Sequence, residues 1–94
     1  MVTAIVLMQV ERKSVNRIAE TLADIDGVSE VYSVSGHYDL VGVVRVKDNE
    51  ALSDIVTESM LKIDGILKSE TMLAFRRFSR YELERMFAIG NEEP

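Results

Sequence analysis

The sequence predicts an α+β domain: a four-stranded antiparallel sheet with two helices packed on one of its faces. Three observations carry that prediction. The tetrapeptide Ile25-Asp26-Gly27-Val28 recurs 38 residues later as Ile63-Asp64-Gly65-Ile66, and each copy joins a helical pattern to a strand-like run. The alternating runs 28–35 and 40–47 flank a short glycine-containing segment, which is the pattern of a hairpin. Two strand–helix–strand units in series, each with a right-handed crossover and joined by that hairpin, close into a single antiparallel sheet.

The elements follow in order. Val2, Ala4, Val6, Met8 and Val10 form one face of a first strand, and Thr3, Ile5, Leu7 and Gln9 the other. Glu11-Arg12-Lys13 reads as a polar loop, and Ser14 is placed to cap a helix through its hydroxyl. Val15, Ile18, Ala19, Leu22 and Ile25 then recur at helical spacing. Gly27 ends that helix, because glycine enters the left-handed C′ conformation without a Cβ clash. Strands over 28–35 and 40–47 follow. Asp48 or Asn49 caps a second helix with Leu52, Ile55, Val56 and Met60 on one face, Ile63 near its end and Gly65 after it. Residues 66–78 read as a long fourth strand. The βαββαβ order is that of a ferredoxin-like fold. Ser79-x-x-Glu82 is a capping box, and Phe78 with Leu83 is a hydrophobic staple. A short C-terminal helix and tail are therefore expected over 79–94, after a domain spanning 1–78.

In this order the first and third strands lie centrally, and both are apolar on both faces. Helices cover only one face. Ile5, Leu7, Val41 and Val43 point away from Val6, Met8, Leu40 and Val44, so a monomer would leave one set open to water. Contiguous apolar patches of that kind mark interfaces. A self-complementary face buried across a two-fold axis is the simplest resolution, so a homodimer through Ile5, Leu7, Val41 and Val43 is expected.

Composition narrows the function classes. The 94 residues suit one domain, with 47% hydrophobic and 29% charged side chains. No apolar run is long enough to span a membrane. The first strand is expected from Val2, with no leader peptide ahead of it. The chain lacks cysteine, which excludes disulfides and thiolate metal sites and suits a reducing cytoplasm. Net charge is −5; residues 1–65 hold 6 basic and 11 acidic side chains, and residues 66–85 hold 5 and 3. Nucleic-acid binding needs a concentrated basic face, so direct binding of DNA is not expected.

Chemistry-capable groups converge on Val34-Ser35-Gly36-His37-Tyr38-Asp39-Leu40. His37 is the chain's only histidine and has no cysteine partner, so a zinc site with three or four ligands is not expected. Ser29, Ser33, Ser35 and Ser69 lie in strands without an elbow-like turn, and neither Gly36 nor Gly42 precedes a helix as a phosphate loop requires. No catalytic centre and no cofactor is expected. Ligand binding fits better. Gly36 lets backbone approach a small molecule, Asp39 can face an ammonium group, and free turn N–H groups can hold a carboxylate. Ser69 and Thr71 share one face of the fourth strand and add hydroxyls. Asp39 can equally serve the hairpin alone, as an Asx-type acceptor.

The segment from Val34 to Leu40, with its glycine, intervening residue, aromatic and aspartate, resembles the strand–turn–strand signature of the Lrp/AsnC family's C-terminal domain, also called the RAM domain. Ile63-Asp64-Gly65-Ile66 followed by Ser69, Thr71 and Met72-Leu73 resembles its second half, with Asp64 where proline is common. The resemblance covers residues 2 to about 78. It implies a ferredoxin-like dimer that assembles into higher oligomers. It also implies an amino acid or similar effector bound between dimers, by Gly36, His37, Tyr38 and Asp39 with Ser69 and Thr71 as second-strand contributors. Full-length members carry a helix-turn-helix domain before this one, so the chain resembles a stand-alone form or an excised domain. Any role in transcription would then run through mixed assemblies with full-length relatives. The competing expectation is a small dimeric α+β-barrel enzyme of the antibiotic-monooxygenase or haem-degrading type, which shares the strand order. A structural oligomer with a vestigial site is a third.

Overall fold

The computed structural model describes residues 1–80. Strand β1 runs Val2–Val10, helix α1 Val15–Ala23, β2 Val28–Ser33, β3 Leu40–Val46, α2 Asn49–Asp54 and β4 Ile66–Leu73. The sheet order is β2-β3-β1-β4, with every neighbouring pair antiparallel. This is the ferredoxin-like arrangement, with the two most apolar strands in the middle. The C-terminal helix expected after Ser79, with its staple residue Leu83, lies outside the described residues from position 81 onward.

Alternation along β1 divides the molecule. Ala4, Val6, Met8 and Val10 face the helices and are buried with Leu40 and Val44 of β3. Ile18 and Leu22 of α1 and Met60 complete this core. Complete burial of side chains such as Met8, Ile18 and Leu22 stabilises the fold by roughly 1.5–3 kcal/mol each. Among the described residues, the opposite face carries no helix. Ile5, Leu7, Val41 and Val43 lie on it in register, Ile5 against Val43 and Leu7 against Val41, and all four are only partly buried.

The repeated tetrapeptides are the two junctions. Gly27 has φ +98° and Gly65 has φ +101°, and each leads from a helix into an edge strand. A side chain at Gly27 would collide with Ile55 Cδ1, and one at Gly65 would meet Ile18 Cδ1 at 2.8 Å. The glycines therefore serve both conformation and close packing.

Four local readings are refined. A 3₁₀ turn, Arg12–Ser14, replaces the polar loop, and the Ser14 side chain makes no capping hydrogen bond. Asp48 rather than Asn49 caps α2; its Oδ1 accepts the Ala51 N–H at 2.8 Å. The second helix changes register, continuing from α2 as a π-helical segment Ile55–Met60, with Leu61 N–H donating to Val56 O at 3.0 Å. The β-branched run Ile55-Val56-Thr57 packs poorly in an α-turn, and the Thr57 hydroxyl bonds back to Ser53 O at 2.7 Å. The fourth strand ends at Leu73, well short of Phe78, because the register against β1 reaches Ala4–Leu73 and pairing then ends near the start of β1. No helix among the described residues is long and apolar enough to cross a membrane.

Candidate functional site

Six residues, 34–39, separate β2 from β3. The Val34 N–H donates to Asp39 O at 3.0 Å and closes the loop at its base. Gly36 sits at the tip with φ +123°, and nothing lies within 4 Å of where its Cβ would be. Here glycine answers a backbone demand alone, unlike the crowded Gly27.

The loop does not stand free. It folds over the end of β1 and is tied there by neighbours far away in sequence. Asp39 N–H donates to Met8 O at 2.8 Å, and the Asp39 Oδ2 accepts the Val10 N–H at 2.9 Å. The β1–β4 register shifts between Gln9 and Val10, so Asp39 supplies an acceptor at an irregularity of the ladder. The Gln9 Nε2 donates to His37 O at 2.7 Å. The Tyr38 hydroxyl reaches across β1 to Glu70 of β4, donating to Oε2 at 2.6 Å. That hydrogen bond to the Glu70 carboxylate, followed by partial desolvation and the carboxylate's charge, raises the Tyr38 pKa above its ordinary value.

Several groups are left over for a ligand. Among the described residues, the N–H groups of Ser35, Gly36, His37 and Tyr38 and the Oδ1 of Asp39 make no hydrogen bond. An oriented carboxylate oxygen thus lies in the same loop as unpartnered amide donors. That pairing is suited to an ammonium and a carboxylate on one small molecule.

Not every expected residue shares this place. Ser69 stands opposite Met8, and Thr71 opposite Val6, so both occupy the helix-side face of β4. Thr71 lines a cleft of about 320 Å³ between the second helix and β4, with Leu52, Ser53, Val56 and Leu73. Glu70, between them in sequence, stands opposite Leu7 on the open face and is the β4 residue that meets the turn. Gln9 and Glu70 are the residues that sequence reasoning missed. Their signal was parity alone: both fall on the Leu7 side of their strands once the register is known.

A second cleft of about 400 Å³ lies at the far end of the open face, lined by Thr3, Ile5, Val43, Arg45, Phe75 and Arg76. Arg45 Nη1 pairs with Glu30 Oε1 at 3.5 Å, and Glu30 also accepts a hydrogen bond from the Tyr32 hydroxyl, which raises the Tyr32 pKa. Arg76 lies over the Phe78 ring, 5.9 Å from its centroid. His37 lines neither cleft.

Comparison with known proteins places this geometry in context. Residues 3–83 match the Lrp/AsnC ligand binding domain family. An uncharacterized HTH-type transcriptional regulator of Pyrococcus furiosus is 36% identical over 76 residues, a match that covers 78% of this chain and 51% of that protein. The chain spans about half or less of the length of the first curated relatives it matches, and the regulator LrpA1 of Halobacterium salinarum is covered over 32%. The crystal structure of TTHA0845 from Thermus thermophilus superposes with a TM-score of 0.80 at 46% identity, covering 85% of this chain and all of that one. A Neisseria meningitidis transcriptional regulator solved as an L-Met complex has a TM-score of 0.75 at 15% identity, over 84% of this chain and 53% of that one, and shares the fold.

Proposed function

The chain belongs to the Lrp/AsnC ligand-binding domain family, and from that premise we propose that it binds an amino acid or a similar zwitterion at the turn 34–39. It acts as a regulatory effector-binding and oligomerising module, without catalysis and without contacting DNA itself. The observation that carries this reading is the coincidence of the free Asp39 Oδ1 with unpartnered N–H groups at Ser35–Tyr38. Asp39 faces the ammonium group, and the turn amides hold the carboxylate. Gly36 and the side chains of His37 and Tyr38 border the ligand, while Ser69 and Thr71 contribute from β4 only where a neighbouring copy completes the pocket. The L-Met complex of the Neisseria meningitidis regulator supports the ligand class.

A homodimer forms in the same reading by burial of Ile5, Leu7, Val41 and Val43 against a second copy, and dimers assemble further around the turns. The net charge of −5 favours a regulatory output through protein partners, such as full-length regulators of the family, over direct contact with DNA.

A thermal-shift screen of the twenty amino acids tests the assignment. A ligand at about a hundred times its Kd stabilises the folded state by roughly 2.7 kcal/mol, which is readily seen as a raised Tm. At least one amino acid is expected to raise Tm, and Asp39→Asn is expected to abolish the response. The asparagine keeps an acceptor for the Val10 N–H, so it removes the counter-charge and leaves the turn's tie in place. A Tm that no amino acid moves would overturn the proposal.

A further inference from the structure

Resting on that reading, we infer that Glu70 and Gln9 are positioning residues for the ligand turn, which they clasp to the open face of the sheet through Tyr38 OH and His37 O. The turn is long for a hairpin connection, and no described residue outside its chain neighbours lies within 4 Å of where a Cβ at Gly36 would be. Left alone, such a loop samples many conformations, and ordering it on binding would oppose affinity. Two side-chain bonds counter this. They reach 28 residues back to Gln9 and 32 forward to Glu70, and they hold the turn by the His37 carbonyl and the Tyr38 side chain. Asp39 is fixed separately, through Met8 O and Val10 N–H. The clasp therefore acts on residues 37 and 38, next to the N–H groups that the ligand's carboxylate needs.

Neither Gln9 nor Glu70 is explained by the fold. Both are on the open face of the sheet, neither belongs to the buried core, and Glu70 makes no ion pair among the described residues. Glu70 lies opposite Leu7, so the clasp also joins the turn to the surface on which Leu7 and Val41 stand. A phenol donating to a carboxylate is a charge-assisted bond, stronger than a neutral pair. The same bond raises the Tyr38 pKa, so the phenol keeps the proton it donates at neutral pH.

The test is a double-mutant cycle read in two ways. Backbone ¹⁵N order parameters are measured at Gly36, His37 and Tyr38 in ligand-free protein, and the amino acid found by thermal shift is titrated calorimetrically. Tyr38→Phe and Glu70→Ala are each expected to lower the order parameters at these amides and weaken binding by roughly threefold to tenfold. The double variant is expected to be no worse than either single one, since both remove the same bond. Glu70→Gln, whose amide oxygen still accepts from the phenol in a weaker, uncharged bond, should recover part of both readouts. Order parameters that Tyr38→Phe and Glu70→Ala leave unchanged would overturn the inference whatever the ligand result. So would a Glu70→Gln variant that is as mobile and binds as weakly as Glu70→Ala, because Glu70 would then not act through its bond to the phenol. If no amino acid binds the wild type, the functional reading falls, and the order parameters alone decide whether the clasp orders the turn.

Discussion

The two faces of the sheet are built from the same strands by different rules. On one, Ala4, Val6, Met8, Leu40 and Val44 are sealed by Ile18, Leu22 and Met60. On the other, Ile5, Leu7, Val41 and Val43 are nearly as apolar but only partly covered, and the same face carries Gln9 and Glu70 with their ties to the turn. The chain completes the first face by itself. No described residue seals the second face, and the candidate ligand turn lies at that face's edge. Stability and the proposed function are thereby separated by one step of strand parity.

The largest effects should come from the sealed face. Met8→Ala is expected to lower stability by about 2–5 kcal/mol, since it empties a fully buried site that adjoins Gly42. Urea denaturation would measure it, and the loss should not depend on protein concentration beyond that of the wild type. Leu7→Glu or Val43→Glu on the open face should leave the helices packed yet abolish the proposed dimer, because burying an unpaired charge costs several kcal/mol. Sedimentation showing an unaltered dimer for both variants would erase the distinction between the faces.

Glycine substitutions sharpen the same contrast. Gly27→Ala combines a positive φ with a Cβ that collides with Ile55 Cδ1, and should cost more than about 2 kcal/mol. Gly36→Ala meets open space, so only the backbone strain of about 1–2 kcal/mol applies. Its larger consequence should be on ligand affinity, through displaced turn amides. Equal destabilisation by the two changes, in parallel thermal melts, would contradict the separation of packing from turn geometry.

The smallest expected effect is a titration. Tyr38 should ionise above the ordinary tyrosine value, and Glu70→Ala should bring it down, as read by NMR of labelled tyrosine. The sign is that of a group with its folded pKa raised. The clasp's contribution is fully present below the unfolded phenol's pKa and is lost as pH rises through the folded value.

The fold was legible because its signals are local. The repeated Ile-Asp-Gly junctions, the alternation of β1 and β3 and the cap at Asp48 each lie within a few residues, and each recurs in the structure as an element or a boundary. The π-helical register of Ile55–Met60 was not legible, because it reflects competition between side-chain crowding and backbone bonding within one helix. The candidate site was half legible. Gly36 and Asp39 announced a turn, but the partners that hold it are 28 to 32 residues away in sequence, and only the register reveals them. Grouping Ser69 and Thr71 with the turn followed residue chemistry. Their pairing with Met8 and Val6 puts them on the helix side, and Glu70 meets the turn instead. A shift of one residue exchanges the faces of a strand, so residue type without register does not identify which hydroxyl or carboxylate reaches a site.

The most direct measurement is an NMR titration of ¹⁵N-labelled protein with the amino acid that raises Tm. Amide shifts should saturate together at Ser35, Gly36, His37, Tyr38 and Asp39, extend to Val10 and Glu70, and vanish in Asp39→Asn. Shifts confined to the Leu52–Val56 and Thr71–Leu73 cleft, or no shifts at all, would contradict the assignment of the turn as the ligand site.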